Sequence, residues 1–170
     1  MHKEDGNYTD EIVVSWDEYD ELVKKMCLKI KEDHPDLTDI GIVGIARGGL
    51  TILSSVSYTL DTKNIGVVHF TFNDENGIYD PHNEARVYGE FYNPNIKNYI
   101  IVEDVLVTGK TIEVAAERLE QNGKNLLDVY SFYLVDDYKN EYLEKKGLKA
   151  KPIYENPRST WIAFPWDKRI

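Results

Sequence analysis

Tyr99-Ile100-Ile101-Val102-Glu103-Asp104-Val105-Leu106-Val107-Thr108-Gly109-Lys110-Thr111 is the stretch that decides the fold. Residues 99–102 are wholly apolar, as a central strand buried on both faces of a parallel sheet must be. The strand delivers two adjacent carboxylates, Glu103 and Asp104, to the sheet edge. A short turn, Thr108-Gly109-Lys110-Thr111, follows and leads into a helical pattern over 111–121 that Asn122-Gly123 closes. Free N–H groups and the helix macrodipole make such a turn a place for an anion. Thr108 and Thr111 add hydroxyls, and Gly109 lets a phosphate approach the main chain. Carboxylates touching a phosphate would repel it, so Glu103 and Asp104 suit sugar hydroxyls or the shell of a metal instead. The rival is a nucleotide-binding Gly-x4-Gly-Lys-Thr loop. That loop needs glycine five positions before Gly109, and Asp104 stands there. An ordinary strand–helix turn with acidic neighbours is the plainer alternative.

Outward from this stretch, strands and helices alternate. Ser15-Trp16-Asp17-Glu18 is a capping-box pattern, and apolar residues at 19, 22, 23, 26, 27 and 30 follow at helical spacing up to His34-Pro35. Residues 40–46 read as a buried strand feeding Gly48-Gly49, 50–60 as a helix and 65–72 as a second strand. Residues 129–135 read as a fourth strand, 138–146 as a short helix and 161–164 as a last strand. Residues 73–92 are rich in Asn, Asp, Gly and Pro with little periodicity, and read as a long functional loop. Alternating elements predict a parallel sheet covered on both faces, with ligands beyond the carboxyl ends of its strands. Residues 46–50, residues 103–111 and the segment after Val135 should therefore meet in one crevice.

The 170 residues predict one domain, 11–170, behind a flexible tail, 1–10. The net charge of −10 argues against a nucleic-acid or anionic-membrane partner. A single cysteine, Cys27, fits a reducing compartment, and a polar, acidic start without an apolar segment predicts a cytoplasmic protein. The four histidines show no metal-site spacing.

The 99–111 stretch resembles the motif by which type I phosphoribosyltransferases bind 5-phosphoribosyl-1-pyrophosphate (PRPP). The resemblance implies an α/β fold with a central, mainly parallel sheet flanked by helices, a small hood and a flexible loop. It implies that Glu103 and Asp104 hold the ribose hydroxyls, directly or through Mg²⁺, and that Val107 to Thr111 cradle the 5′-phosphate. Ala46-Arg47-Gly48-Gly49 looks like the family's pyrophosphate loop, with Arg47 as its forked cation. Thr160-Trp161-Ile162-Ala163-Phe164-Pro165-Trp166-Asp167 resembles the ending of bacterial and archaeal xanthine-guanine and hypoxanthine enzymes. There the residue matching Trp161 stacks on the purine and the main chain at Ile162 reads its edge. Tyr79, His82 and Arg86 are the candidate contacts of the flexible loop.

The sequence departs from the 6-oxopurine pattern twice. Those enzymes carry an aspartate immediately before Thr-Gly as acid/base, where this chain has Val107. They also place a lysine after the strand that ends at Val135, to meet the exocyclic oxygen. Here Asp136-Asp137 occupy that place, and the nearest lysine is Lys139. Three readings remain open: transfer to a purine-like base, regulatory binding of PRPP or a nucleotide without transfer, and an unrelated α/β enzyme or interaction module. The resemblance further implies a homo-oligomer.

Overall fold

In the computed structural model, residues 8–74, 76, 78, 80, 82–135, 140–156 and 160–167 are described. Six strands form the main sheet in the order β4-β3-β2-β5-β6-β7. They are β2 (Ile40–Ala46), β3 (Ile65–Thr71), β4 (Arg86–Tyr92), β5 (Asn98–Leu106), β6 (Asn125–Val135) and β7 (Ala150–Asn156). All neighbours run parallel except β4, which pairs antiparallel with β3 at the edge.

Alternation along β5 sends its side chains to two separate cores. Ile100 and Val102 join a cluster beneath α1 (Trp16–Asp33) and α2 (Gly48–Thr59), with Leu22, Met26, Ile52, Val56 and Phe132. Tyr99 and Ile101 join a second cluster beneath α3 (Lys110–Gln121) and α4 (Glu141–Lys145), with Ile112, Ala115, Leu119 and Leu143. Helix α1 shows why the local reading works. The Ser15 hydroxyl accepts from the Glu18 N–H at 3.2 Å, and the Glu18 carboxylate accepts from the Ser15 N–H at 2.7 Å. That capping box contributes about 1 kcal/mol. The six buried side chains of α1 each contribute roughly 1.5–3 kcal/mol, so burial, not capping, holds the helix.

A separate two-stranded parallel sheet joins β1 (Asp10–Val13) to β8 (Thr160–Ala163), with Ile12 opposite Ile162. It ties the two ends of the chain together in the position of a small hood, and β1 begins at Asp10, the last residue of the expected tail. Phe164 is buried in the first core, and its ring stacks on Trp166 at 4.7 Å.

Two expectations change. Residues 86–92 are not loop but the edge strand β4, so Arg86 is a strand residue opposite Thr71 rather than a loop contact. Tyr92 and Val87 pack on the second core while Tyr88 and Phe91 face outward, a half-buried alternation that the polar composition of 73–92 hid. Strand β7 was not anticipated, because Lys151 and Pro152 obscure its pattern. Pro152 is tolerated because β7 is an edge strand. No helix among the described residues is long and apolar enough to cross a membrane.

Candidate functional site

Strand β5 outruns its neighbour β2. Their pairing ends at Gly44 and Val102, while β5 continues along β6 as far as Leu106 and Leu134. The gap beside residues 103–106 is filled by the turn from β2 into α2. That turn packs tightly because it is made of glycine. A Cβ on Gly48 would overlap the Asp104 carboxylate, and one on Gly49 would stand 3.2 Å from the Val102 carbonyl oxygen. The Ala46–Arg47 peptide at this point is cis. Arg47, in this turn, is exposed.

The acidic pair lies in the floor. Glu103 is 6% exposed; its Oε1 accepts from the Asp104 N–H at 3.1 Å, and its Oε2 is buried with no partner. Asp104 accepts from the Val105 N–H at 2.7 Å. Burial, reinforced by the Asp104 charge, pushes the Glu103 carboxyl well above the usual range. Burial also raises Asp104, and the negative charge of Asp167 in the Pro165–Asp167 turn adds to it. A buried, unpartnered carboxylate oxygen costs stability unless something arrives to meet it. A sugar hydroxyl or a cation answers that need. Among the described residues no group of three or more His, Cys, Asp or Glu side chains could hold a metal. The pair therefore fits a cation that brings most of its ligands with it.

Beyond β5 the main chain enters α3 through Gly109, at φ 75°. No side chain caps this helix. Thr108 is exposed, and its Oγ1 meets the Lys110 N–H only at 3.4 Å. The Lys110 ammonium pairs with Glu113 at 3.0 Å. Residues 108–110 line a depression of about 240 Å³ with Glu113, Asn140, Glu141 and Tyr142. Asn140, which sequence reasoning missed, ties this turn to the segment after β6. Its Nδ2 donates to the Gly109 carbonyl at 2.8 Å. The Asn140 position before Glu141 signals a helix cap, but nothing in the sequence signals its reach to Gly109.

Trp161 in β8 is half-buried, with the Tyr8 ring edge-on at 5.2 Å; Ile162 is buried in the first core. The Asp167 carboxylate accepts from the Phe164 N–H at 2.8 Å, which fixes the turn after β8. Asp104 and Asp167 thus connect the chain's end to the acidic floor. His82 is exposed, and its N–H bonds the Asp80 side chain at 2.8 Å. Tyr79, Asp136 and Lys139 lie outside the described residues. His34 pairs with Asp128 at 2.8 Å, and His69 lies against Tyr88, both outside the crevice.

A mainly parallel α/β sheet whose central strand ends in two carboxylates and a helix start without a side-chain cap, met by an Arg-Gly-Gly turn, is the arrangement at the carboxyl end of β5. The chain belongs to the phosphoribosyl transferase domain family, whose model matches residues 15–169. Among curated proteins it is similar to the Bifunctional protein PyrR of Actinobacillus succinogenes, 27% identical over 68% of this chain and 69% of that one. It is also similar to the xanthine-guanine phosphoribosyltransferase of Cereibacter sphaeroides, 26% identical over 92% of this chain and 87% of that one. The crystal structure of a purine phosphoribosyltransferase from Pyrococcus horikoshii matches with a TM-score of 0.71. It covers 95% of this chain and 97% of the other at 22% identity, a likeness of fold.

Proposed function

We propose that the chain transfers the 5-phosphoribosyl group of PRPP to a ring nitrogen of a purine-like base, releasing pyrophosphate, in nucleotide salvage in the cytoplasm. The observation that carries this reading is the meeting of the Arg47-Gly48-Gly49 turn with the acidic pair at the end of β5. The C1–oxygen bond to pyrophosphate breaks, its electron pair leaves with pyrophosphate, the base nitrogen forms the new C1–N bond, and the base gives up one N–H proton to pyrophosphate or water. Positive charge develops on the ribose as the bond breaks. Arg47 holds pyrophosphate oxygens, Glu103 and Asp104 fix the ribose hydroxyls, and the Thr108–Thr111 turn holds the 5′-phosphate, so catalysis is mostly positioning and charge stabilisation. Mg²⁺ carried on PRPP would neutralise pyrophosphate charge, with Glu103 and Asp104 as the protein groups nearest its shell. Trp161 and the Ile162 main chain receive the base, and His82 lies on the covering loop.

The test is turnover of PRPP with a panel of purine and pyrimidine bases, with and without Mg²⁺. Pyrophosphate release that requires a purine and Mg²⁺ is the expected result. PRPP binding without turnover on any base would replace this reading with the second one, a regulatory PRPP or nucleotide binder, which the absence of an acid/base group at Val107 favours. No PRPP binding would remove both. The family resemblance further implies a homo-oligomer, which light scattering on the purified chain checks.

A further inference from the structure

Asn140 is 7% exposed and uses the two ends of its amide for two different tasks. Its Oδ1 accepts from the Leu143 N–H at 2.9 Å and caps α4. Its Nδ2 donates at 2.8 Å to the Gly109 carbonyl, which also accepts the Glu113 N–H at 3.0 Å at the start of α3. The contact is close: a Cβ on Gly109 would stand 2.5 Å from Asn140 Nδ2.

We propose that Asn140 is a positioning residue for the sugar phosphate: by anchoring the Gly109 carbonyl it aims the Lys110 N–H into the anion site. The inference rests on the reading of residues 108–111 as the 5′-phosphate turn. The carbonyl and the following N–H of a trans peptide lie in one plane and point in opposite directions. Holding the Gly109 oxygen on the Asn140 side therefore presents the Lys110 N–H on the other side. There it meets Thr108 Oγ1 at 3.4 Å, too long for a strong bond, and stays available for a phosphate oxygen. The Glu113 N–H holds the same oxygen from the helix side, and the Asn140 amide is its second anchor, at a turn residue with φ 75° and no side chain of its own. A plain capping role for Asn140 would employ Oδ1 alone; the reach of Nδ2 across 31 residues of sequence is what that role leaves unexplained.

Serine at this position separates the two tasks, since it caps a helix well and is too short to reach Gly109. Asn140→Asp retains the cap and sets an acceptor against the carbonyl. Each full-length variant is titrated calorimetrically with ribose 5-phosphate and, separately, with pyrophosphate, both with Mg²⁺, and its KM for PRPP is measured. The expected result is a loss of tenfold or more in ribose 5-phosphate affinity in both variants, with pyrophosphate affinity within twofold of the wild type. The KM for PRPP rises while kcat changes less. Unchanged ribose 5-phosphate affinity in N140S overturns the inference, as do equal losses for both ligands, which mark a merely structural role. If the wild type binds neither ligand, the phosphoribosyltransferase reading fails and takes this inference with it. If it binds both and N140S does too, only the role of Asn140 fails.

Discussion

Gly48, the first residue of α2, lies directly against the carboxylate of Asp104, with no space for a methyl group between them. The contact joins the loop after β2 to the acidic end of β5, and it makes the two halves of the site depend on each other. Gly48→Ala should push the Asp104 carboxylate aside. Because the displaced atoms are the end of a side chain, the fold should lose less than about 1 kcal/mol, within the ordinary range for single substitutions. PRPP affinity should fall at least tenfold. Gly44→Ala is the contrast. Its Cβ would stand 2.5 Å from the Gly49 carbonyl oxygen and 2.7 Å from Leu53 Cβ, so backbone must move. Overpacking of that kind costs about 1–3 kcal/mol. Chemical denaturation beside calorimetry separates the two, and a G48A variant with native PRPP affinity would refute the coupling.

Arg47 is exposed, so its removal should leave stability unchanged. Arg47→Ala should weaken pyrophosphate binding by roughly 1.5–3 kcal/mol, the range for a charged hydrogen bond. Arg47→Lys should recover only part of it, because an ammonium cannot supply two parallel donors. Titration with pyrophosphate and Mg²⁺ measures both, and full recovery by lysine would show that charge alone matters.

Glu103 makes the unliganded protein pH-sensitive. Burial raises its folded pKa above its unfolded value, so the native state holds a proton that the unfolded chain gives up. That contribution to stability is complete below the unfolded pKa, about 4.3, and is lost as pH rises through the folded pKa. Asp104 shifts the same way and adds to the effect. Glu103→Gln should therefore raise the Tm at pH 7–8 by at least about 2 °C, the shift that 1 kcal/mol gives at this chain length. Below pH 4 the two Tm values should converge. PRPP binding should be weakened in the same variant, so stability and function move in opposite directions. A Tm difference independent of pH would mean that Glu103 is not the group responsible.

Most of the scaffold was legible because its signals are local. The Ser15–Glu18 box, the apolar run 40–46 and the sequence 99–111 each carry their own periodicity or cap; α1 and β2 lie where the spacing puts them, while β5 runs four residues past Val102. Strand β4 was hidden because only alternate residues of an edge strand are buried, and Tyr88, Gly89 and Glu90 read as loop. At the site, the Arg-Gly-Gly turn and the acidic pair were legible as residue types at strand ends, and so was their meeting in one place, since ligands sit beyond the carboxyl ends of such strands. The close packing of Gly48 on Asp104 was not, because it depends on β5 extending past β2. Asn140 was illegible for the same reason: its partner Gly109 is remote in sequence, and a cap pattern does not reveal what the other end of an amide touches.

Val107 stands where the 6-oxopurine pattern has an acid/base aspartate, so under the proposed function it is the position to test for the choice of acceptor. It follows the last residue of β5, is half-buried, and precedes the turn at Thr108. Valine there can neither give nor take a proton, and general acid–base catalysis contributes about 10²–10⁴-fold when a group is well placed. Val107→Asp would add a carboxyl beside Glu103 and Asp104, two groups already raised by burial. Their negative charge should raise the newcomer as well, toward the neutral range where a carboxyl can act as a general acid. The variant should lose some stability at neutral pH, by the same sign as Glu103, and should turn over hypoxanthine or guanine at least tenfold faster than the wild type. Steady-state assays of both proteins with the three 6-oxopurines decide the matter. Efficient guanine or xanthine turnover by the wild type would show that this site performs the chemistry without a carboxyl at 107, and the proton would then have to leave by another route.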